Sequence, residues 1–148
     1  DIGLMQSYLK MLFENAKCFE DRLHGYLVMI QSMISVQKQG DAMKKIIFIL
    51  EELGESISID VNHKDAYEEV ASTKSLLDGR SVEDVINGKR MTDKKLRWTL
   101  KFLNLLCHVL YPASKPQALC MTACRVVKLS VEHGFCSDSA EGLQIYGF

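Results

Sequence analysis

The sequence predicts an all-α fold. Apolar residues recur three and four positions apart along most of the chain, sustained period-two alternation is rare, and helix-starting and helix-stopping residues bracket the apolar stripes. The 148 residues are 47% apolar and 25% charged, with two prolines and nine glycines, which excludes a disordered or collagen-like chain. A chain of this length buries roughly two-thirds of the surface it would expose unfolded, as one domain of ordinary size does.

Leu9, Leu12, Phe13 and Ala16 form a first short stripe, and Leu23, Leu27, Ile30 and Ile34 a second. The third is Ala42, Ile46, Ile49, Leu50 and Leu53, with Asp41 at its start and Gly54 as a left-handed cap at its end. Its β-branched run Ile46-Ile47-Phe48-Ile49 also suits a buried strand. Lys44-Lys45 and Glu51-Glu52 keep one helical face polar, however, and no neighbouring run offers a partner strand. Ser56 to Val61 alternates briefly and predicts an extended connector. A fourth helix follows Asn62 and runs through Tyr67, Val70 and Leu77 to Gly79. Ser81 with Asp84 three residues on predicts a capped short helix, and Gly88-Lys89-Arg90 a turn.

Thr92 is the expected N-cap of a long helix, with Asp93 favourable at the positive end of its dipole. This helix carries two stripes, Leu96, Leu100, Leu103, Cys107, Leu110 and Trp98, Phe102, Leu105, Val109. Apolar on both flanks, it reads as a central helix between neighbours. Pro112 and Pro116 bracket a tight connection. Leu119, Ala123, Val126 and Val127 carry the next helix to Val131, Gly134 stops it, and a short last helix covers Asp138 to Tyr146. The expectation is seven or eight helices.

The chemistry of nucleotide hydrolysis, phosphoryl transfer or acyl transfer has no motif here. Gly-x-x-x-x-Gly-Lys, a kinase catalytic loop, Gly-x-Ser-x-Gly and His-Glu-x-x-His are all missing from the sequence. Gly79-Arg80-Ser81 is too short to cradle phosphates; it closes one helix and caps the next. Cys120 and Cys124 share a helical face and could hold two corners of a metal site, with His108, His133 or Cys136 as the others. Only one close pair of ligands is present, so they are read as small apolar residues and no metal or other cofactor is expected. Cys107 and His108 are adjacent and point about 100° apart on a helix, which favours a core cysteine beside a surface histidine. His133, just before Gly134, suits a helix C-terminus. Glu51, Glu52, Glu55, Asp65, Glu68 and Glu69 read as a solvated polar face.

The net charge of −1 hides an asymmetry: residues 1–79 carry eight Lys+Arg against thirteen Asp+Glu, and residues 80–148 ten against six. The basic run Lys89, Arg90, Lys94, Lys95, Arg97, Lys101 concentrates the excess, and Lys94, Arg97 and Lys101 share one helical face beside Trp98. Nucleic acid is not the expected partner, because the sequence pI is near 6.5. A solvated run, or pairing with the acidic residues 51–69, is the first expectation, and a protein partner the second. Lys94, Arg97 and Lys101 are therefore the candidate partner-binding face.

No apolar run exceeds five residues, against roughly twenty for a bilayer span, and no charged-then-apolar leader opens the sequence, so neither membrane insertion nor secretion is expected. Five cysteines, an odd number without scaffold spacing, suit a reducing, cytoplasmic setting. Opening at Asp1 rather than Met, the sequence is expected to be a piece of a longer chain.

Gln39-Gly40-Asp41-Ala42, followed by an apolar helix ending Leu53-Gly54-Glu55, is similar to a tetratricopeptide hairpin. Met91-Thr92-Asp93, the helix to Tyr111-Pro112, then Leu129-Ser130-Val131-Glu132-His133-Gly134 with Ser137, Ser139-Ala140 and Tyr146-Gly147 follow in order. This series, over about residues 20–148, resembles the helical region of very large signalling proteins in which a STAND/AAA-type ATPase module follows a protein-kinase-like domain. In those proteins the helical repeats precede sensor, histidine-kinase or nucleotide-cyclase modules. Lys94 stands where that family often has proline, and Ser56-Ile57-Ser58 follows the Leu-Gly-Glu turn where proline is also frequent.

The resemblance implies antiparallel helical hairpins stacked as a short irregular α-solenoid. It implies tetratricopeptide-like hairpins over 1–55, a connector with short helices over 56–90, and a hairpin with a short last helix over 91–148. The role it implies is a non-catalytic scaffold in contact with a protein or with neighbouring domains of the same chain. A solenoid piece with exposed apolar faces would also let two copies pair. Tyr67 and Tyr146 join the basic face as exposed candidates. A free-standing adaptor shares these physics, and an all-α enzyme with a Cys/His site between helices is the third reading.

Overall fold

The computed structural model describes residues 2–147. Among them are eight helices: α1 (Ile2–Asn15), α2 (Phe19–Ser35), α3 (Gln39–Glu52), α4 (His63–Leu77), α5 (Val82–Ile86), α6 (Lys94–Leu110), α7 (Pro116–His133) and α8 (Ser139–Tyr146). No strand occurs among the described residues, so the fold is all-α as the periodicity predicts. Contacts gather the chain into two compact units, one through Lys45 and one from Ile46, dividing it inside α3.

In the first unit α1 packs against α2. Gly25 permits this approach: a Cβ there would lie 2.6 Å from Leu12 Cδ2 and 3.0 Å from Phe13 Cε1. Phe13 and Tyr26 meet with ring centroids 5.2 Å apart, and Lys45 Nζ lies 4.7 Å from the Tyr26 centroid. Leu9, Leu23 and Ile30 are buried, as their stripes require.

The end of α3 follows its sequence closely. Gly54 takes φ +93°, the Gly54 N–H donates to the Glu51 carbonyl (3.0 Å) and the Glu55 N–H donates to the Leu50 carbonyl (2.8 Å). This pair of bonds satisfies the last carbonyls of the helix and needs a residue that tolerates positive φ. Beyond the turn Ile57 and Ile59 are half-buried while Ser56, Ser58 and Asp60 are exposed, the alternation of an extended connector.

In the second unit α7 is the helix that packs on three others, α4, α6 and α8. The sequence gives that central place to α6. Most of both α6 stripes is nevertheless buried, with Leu100, Phe102, Leu103 and Leu110 fully so, each side chain contributing about 1.5–3 kcal/mol, while Leu96, Trp98 and Leu105 are half-buried. Asp93, not Thr92, is the N-cap of α6: its carboxylate accepts from the Leu96 N–H at 3.1 Å. Both residue types cap well, and the one-residue shift is fixed by where the chain leaves residues 89–91.

Those residues are more than the turn the sequence predicts. Phe135 N–H donates to the Lys89 carbonyl (2.8 Å) and Met91 N–H to the Phe135 carbonyl (3.0 Å), an isolated parallel bridge. Gly134 (φ +110°) lies directly against it; a Cβ would sit 2.6 Å from the Arg90 carbonyl carbon. Leu77, Val85, Val127, Phe135 and Leu143 form a cluster joining α4, α5, α7 and α8, with Val131 and Tyr146 packed on it. Tyr146 is therefore not the exposed residue the sequence reading takes it for. At the α7–α8 junction the buried Ser139 Oγ accepts from the Cys136 N–H (3.1 Å) and lies 2.7 Å from Ser130 Oγ, which itself donates to the Val126 carbonyl.

Candidate functional site

The first turn of α6 places Lys94, Arg97 and Trp98 on one edge, and Lys101 one turn further continues it. The three cations come together as the spacing predicts. With Trp98 and Asp138 they line a cavity of about 330 Å³. Arg97 and Lys94 are exposed; Lys101 and Trp98 are half-buried. Trp98 stacks on the buried Phe102 (centroids 6.0 Å apart, planes at 26°), and Lys101 Nζ lies 5.5 Å from the Trp98 centroid. The indole is thus anchored from below by the core, and a cation stands over it.

Asp138 reaches the cavity from the α8 side. Its backbone is fixed by Asn104 of α6, whose Nδ2 donates to the Asp138 carbonyl at 2.7 Å. Asn104 is almost fully buried, and its Oδ1 has no partner among the described residues. An orphaned buried acceptor costs about 1–3 kcal/mol, so the Asp138 contact is held against a real penalty.

The acidic residues 51–69 do not neutralise this face. Two of them, Glu55 and Glu69, go to α7. Arg125 donates from Nε and a terminal nitrogen to the two Glu55 carboxylate oxygens, each at 2.8 Å. Lys128 Nζ is 2.7 Å from Glu69 and 3.1 Å from Ser72 Oγ. Hydrogen bonding to Glu55 holds the Arg125 guanidinium above its ordinary pKa despite partial desolvation. Glu55 and Glu69 are consequently half-buried, whereas Glu51, Glu52, Asp65 and Glu68 are exposed as expected. Among the described residues Lys94, Arg97 and Lys101 form no ion pair.

The cysteine sites fare differently. Cys107 and His108 line a second cavity, of about 500 Å³, with Glu141, Tyr111, Leu119 and Gln144. Cys107 is buried, and burial, then the Glu141 charge, pushes its thiol up to about 12. The thiolate needed for nucleophilic attack is absent at neutral pH. His108 Nε2 pairs with Glu141. Cys120 is exposed while Cys124 is buried, and burial raises the Cys124 thiol. Among the described residues no group of three His, Cys, Asp or Glu is placed to hold a metal. Likewise no helix there is long and apolar enough to cross a membrane.

Sequence reasoning found the three cations and Trp98 but not Asp138, whose place depends on packing between α6 and α8. Tyr67 is exposed as expected and lines an apolar cavity of about 540 Å³ with Ala66, Val70, Pro116 and Cys120. Family models, curated proteins and solved structures provide no match to this chain.

Proposed function

We propose that this segment is a non-catalytic helical scaffold that makes protein–protein or interdomain contacts through the face of Lys94, Arg97 and Lys101, within a multidomain ATPase/kinase signalling protein. The observation that carries this reading is a basic face without an ion pair among the described residues: of the acidic residues 51–69, Glu55 and Glu69 pair with Arg125 and Lys128, and Glu68 with Lys64. Cations without an ion pair among the described residues are available for an anionic partner outside the fold. The resemblance of residues 20–148 to the helical region of STAND/AAA-type signalling proteins supports the setting. The packing of the sequence-adjacent pairs α1–α2, α6–α7 and α7–α8 supports a short irregular α-solenoid of the tetratricopeptide kind, from which α4, packed on α7 across α5 and α6, departs.

A free-standing adaptor would use the same face. The Cys/His enzyme is disfavoured by the protonated Cys107 thiol and by His108 pairing with Glu141 instead. The native transcript on either side of the segment decides between scaffold and adaptor. An ATPase module upstream and a kinase, cyclase or sensor module downstream is the expected result. A start codon just before Asp1 and a stop just after Phe148 would overturn the scaffold reading.

A further inference from the structure

The pocket at the start of α6 has the dimensions and charge of a site for one small dianion. At about 330 Å³ it lies at the lower end of ligand cavities, with room for one side chain. Lys94, Arg97 and Lys101 supply three positive charges on its wall, none paired with a carboxylate among the described residues.

Three cations exceed what a single carboxylate asks for and match a phosphoryl group, which carries about −1.5 to −2 charge and three acceptor oxygens. Arg97 offers a planar fork for two of those oxygens, and the lysines act as point charges on the rest. Trp98, held from beneath by Phe102, gives the carbon atoms of the ligand residue an apolar wall. The single carboxylate, Asp138, stands at the α8 edge. It brings the three positive charges of the wall to a net of about two, a balance for one dianion and not for a chain of phosphates, and would accept an N–H or ammonium group of the ligand. Nucleic acid is therefore a poor fit and a singly phosphorylated peptide a good one.

We infer that the Lys94–Arg97–Lys101–Trp98–Asp138 pocket binds one phosphorylated side chain on a segment of a partner protein or neighbouring domain. This rests on the scaffold reading and names the chemistry of its contact.

The test uses the whole chain immobilised on beads and degenerate peptide pools with one fixed central residue: phosphoserine, serine or glutamate. The expected result is retention of the phosphoserine pool at least about tenfold over the other two. Retention should fall by a similar factor in Arg97→Gln and in Lys101→Gln, both with unchanged far-UV circular dichroism. Inorganic phosphate at millimolar concentration should compete. Equal retention of the serine or glutamate pool would overturn the inference. So would displacement by a single-stranded oligonucleotide but not by inorganic phosphate, or retention unchanged in both variants. The two readings fail separately. A chain flanked by ATPase and sensor modules but indifferent to phosphoserine remains a scaffold without this ligand. A chain ending at Asp1 and Phe148 that prefers phosphoserine keeps the pocket and loses the scaffold.

Discussion

Arg125 grips Glu55 through two hydrogen bonds of 2.8 Å, one to each carboxylate oxygen, across seventy residues of sequence. Glu55 is the residue whose N–H closes the turn after α3, so the bond ties that turn to the middle of α7. Its carboxylate keeps only 13% of its side-chain exposure and Arg125 37%. The pair is half-desolvated, which makes it worth more than a surface ion pair.

Arg125→Ala should therefore destabilise the second unit by about 1.5–3 kcal/mol, read from urea denaturation. Glu55→Gln should cost less, because the amide still offers one acceptor to the guanidinium. The double variant should show a coupling of about 1 kcal/mol or more. Additive effects would mean that the two side chains act independently.

Gly142 lies on α8 where a Cβ would be 2.2 Å from Val126 Cγ1 and 2.5 Å from Val126 Cβ. Alanine at an open helix position gains about 1 kcal/mol over glycine. Here overlap with a β-branched side chain reverses the sign, and Gly142→Ala is expected to cost about 1–3 kcal/mol. Val126→Ala in the same chain should recover part of that loss by removing the clashing methyls. A stabilised Gly142→Ala would show that α8 stands further from α7 than these distances place it.

Burial raises the Cys107 thiol from 9.0 to about 12. An acid whose folded pKa is raised keeps its full stabilising effect below the unfolded value and loses it as pH climbs through the folded one. The contribution of Cys107 is thus complete below about pH 9 and declines between pH 9 and 12. Comparing the chain with Cys107→Ala at matched pH isolates it from the lysines and tyrosines that titrate in the same range. The stability difference between the two should shrink by on the order of 1–2 kcal/mol between pH 8 and pH 10.5. A difference independent of pH would mean that the thiol is solvated. In an alkylation time course at pH 8, exposed Cys18 and Cys120 should be modified well before Cys107, Cys124 and Cys136.

What was legible in the sequence was local. Asn62 caps α4 by accepting from the Asp65 N–H (2.8 Å), Ser81 and Asp84 form the reciprocal capping box, and Gly54 and Gly134 end their helices at positive φ. Each of these depends on residues no more than five apart, as helical stripes do. What was not legible was which helix each stripe faces. α4 pairs with α7, Asn104 reaches thirty-four residues to Asp138, and Phe135 bridges to residues 89–91. Periodicity marks a buried face without naming its partner, so α6 read as central when α7 is. The site divides in the same way: Lys94, Arg97 and Lys101 follow from three- and four-residue spacing on one helix, and Asp138 arrives by tertiary packing. The fate of the acidic residues needed the fold as well, since Arg125 and Lys128 show no sign in the sequence of preferring Glu55 and Glu69.

The basic face also runs against the helix that carries it. α6 has no acidic residue in its first turn, where Lys94, Lys95 and Arg97 meet the positive end of the helix dipole. The Asp93 cap and, from the α8 side, Asp138 partly offset them. Since Lys94 is exposed and without an ion pair among the described residues, nothing in the fold requires its charge. Lys94→Glu should therefore raise the stability of the second unit, by about 0.3–1 kcal/mol at low ionic strength, and the gain should shrink as salt is added. The same variant should weaken capture of the phosphoserine pool, because it places a carboxylate in the pocket beside Arg97. A substitution that strengthens the fold while removing binding separates a charge kept for a partner from one kept for packing. Loss of stability in Lys94→Glu would assign the lysine to the structure instead, and the case for an outward-facing basic site would then rest on Arg97 and Lys101 alone.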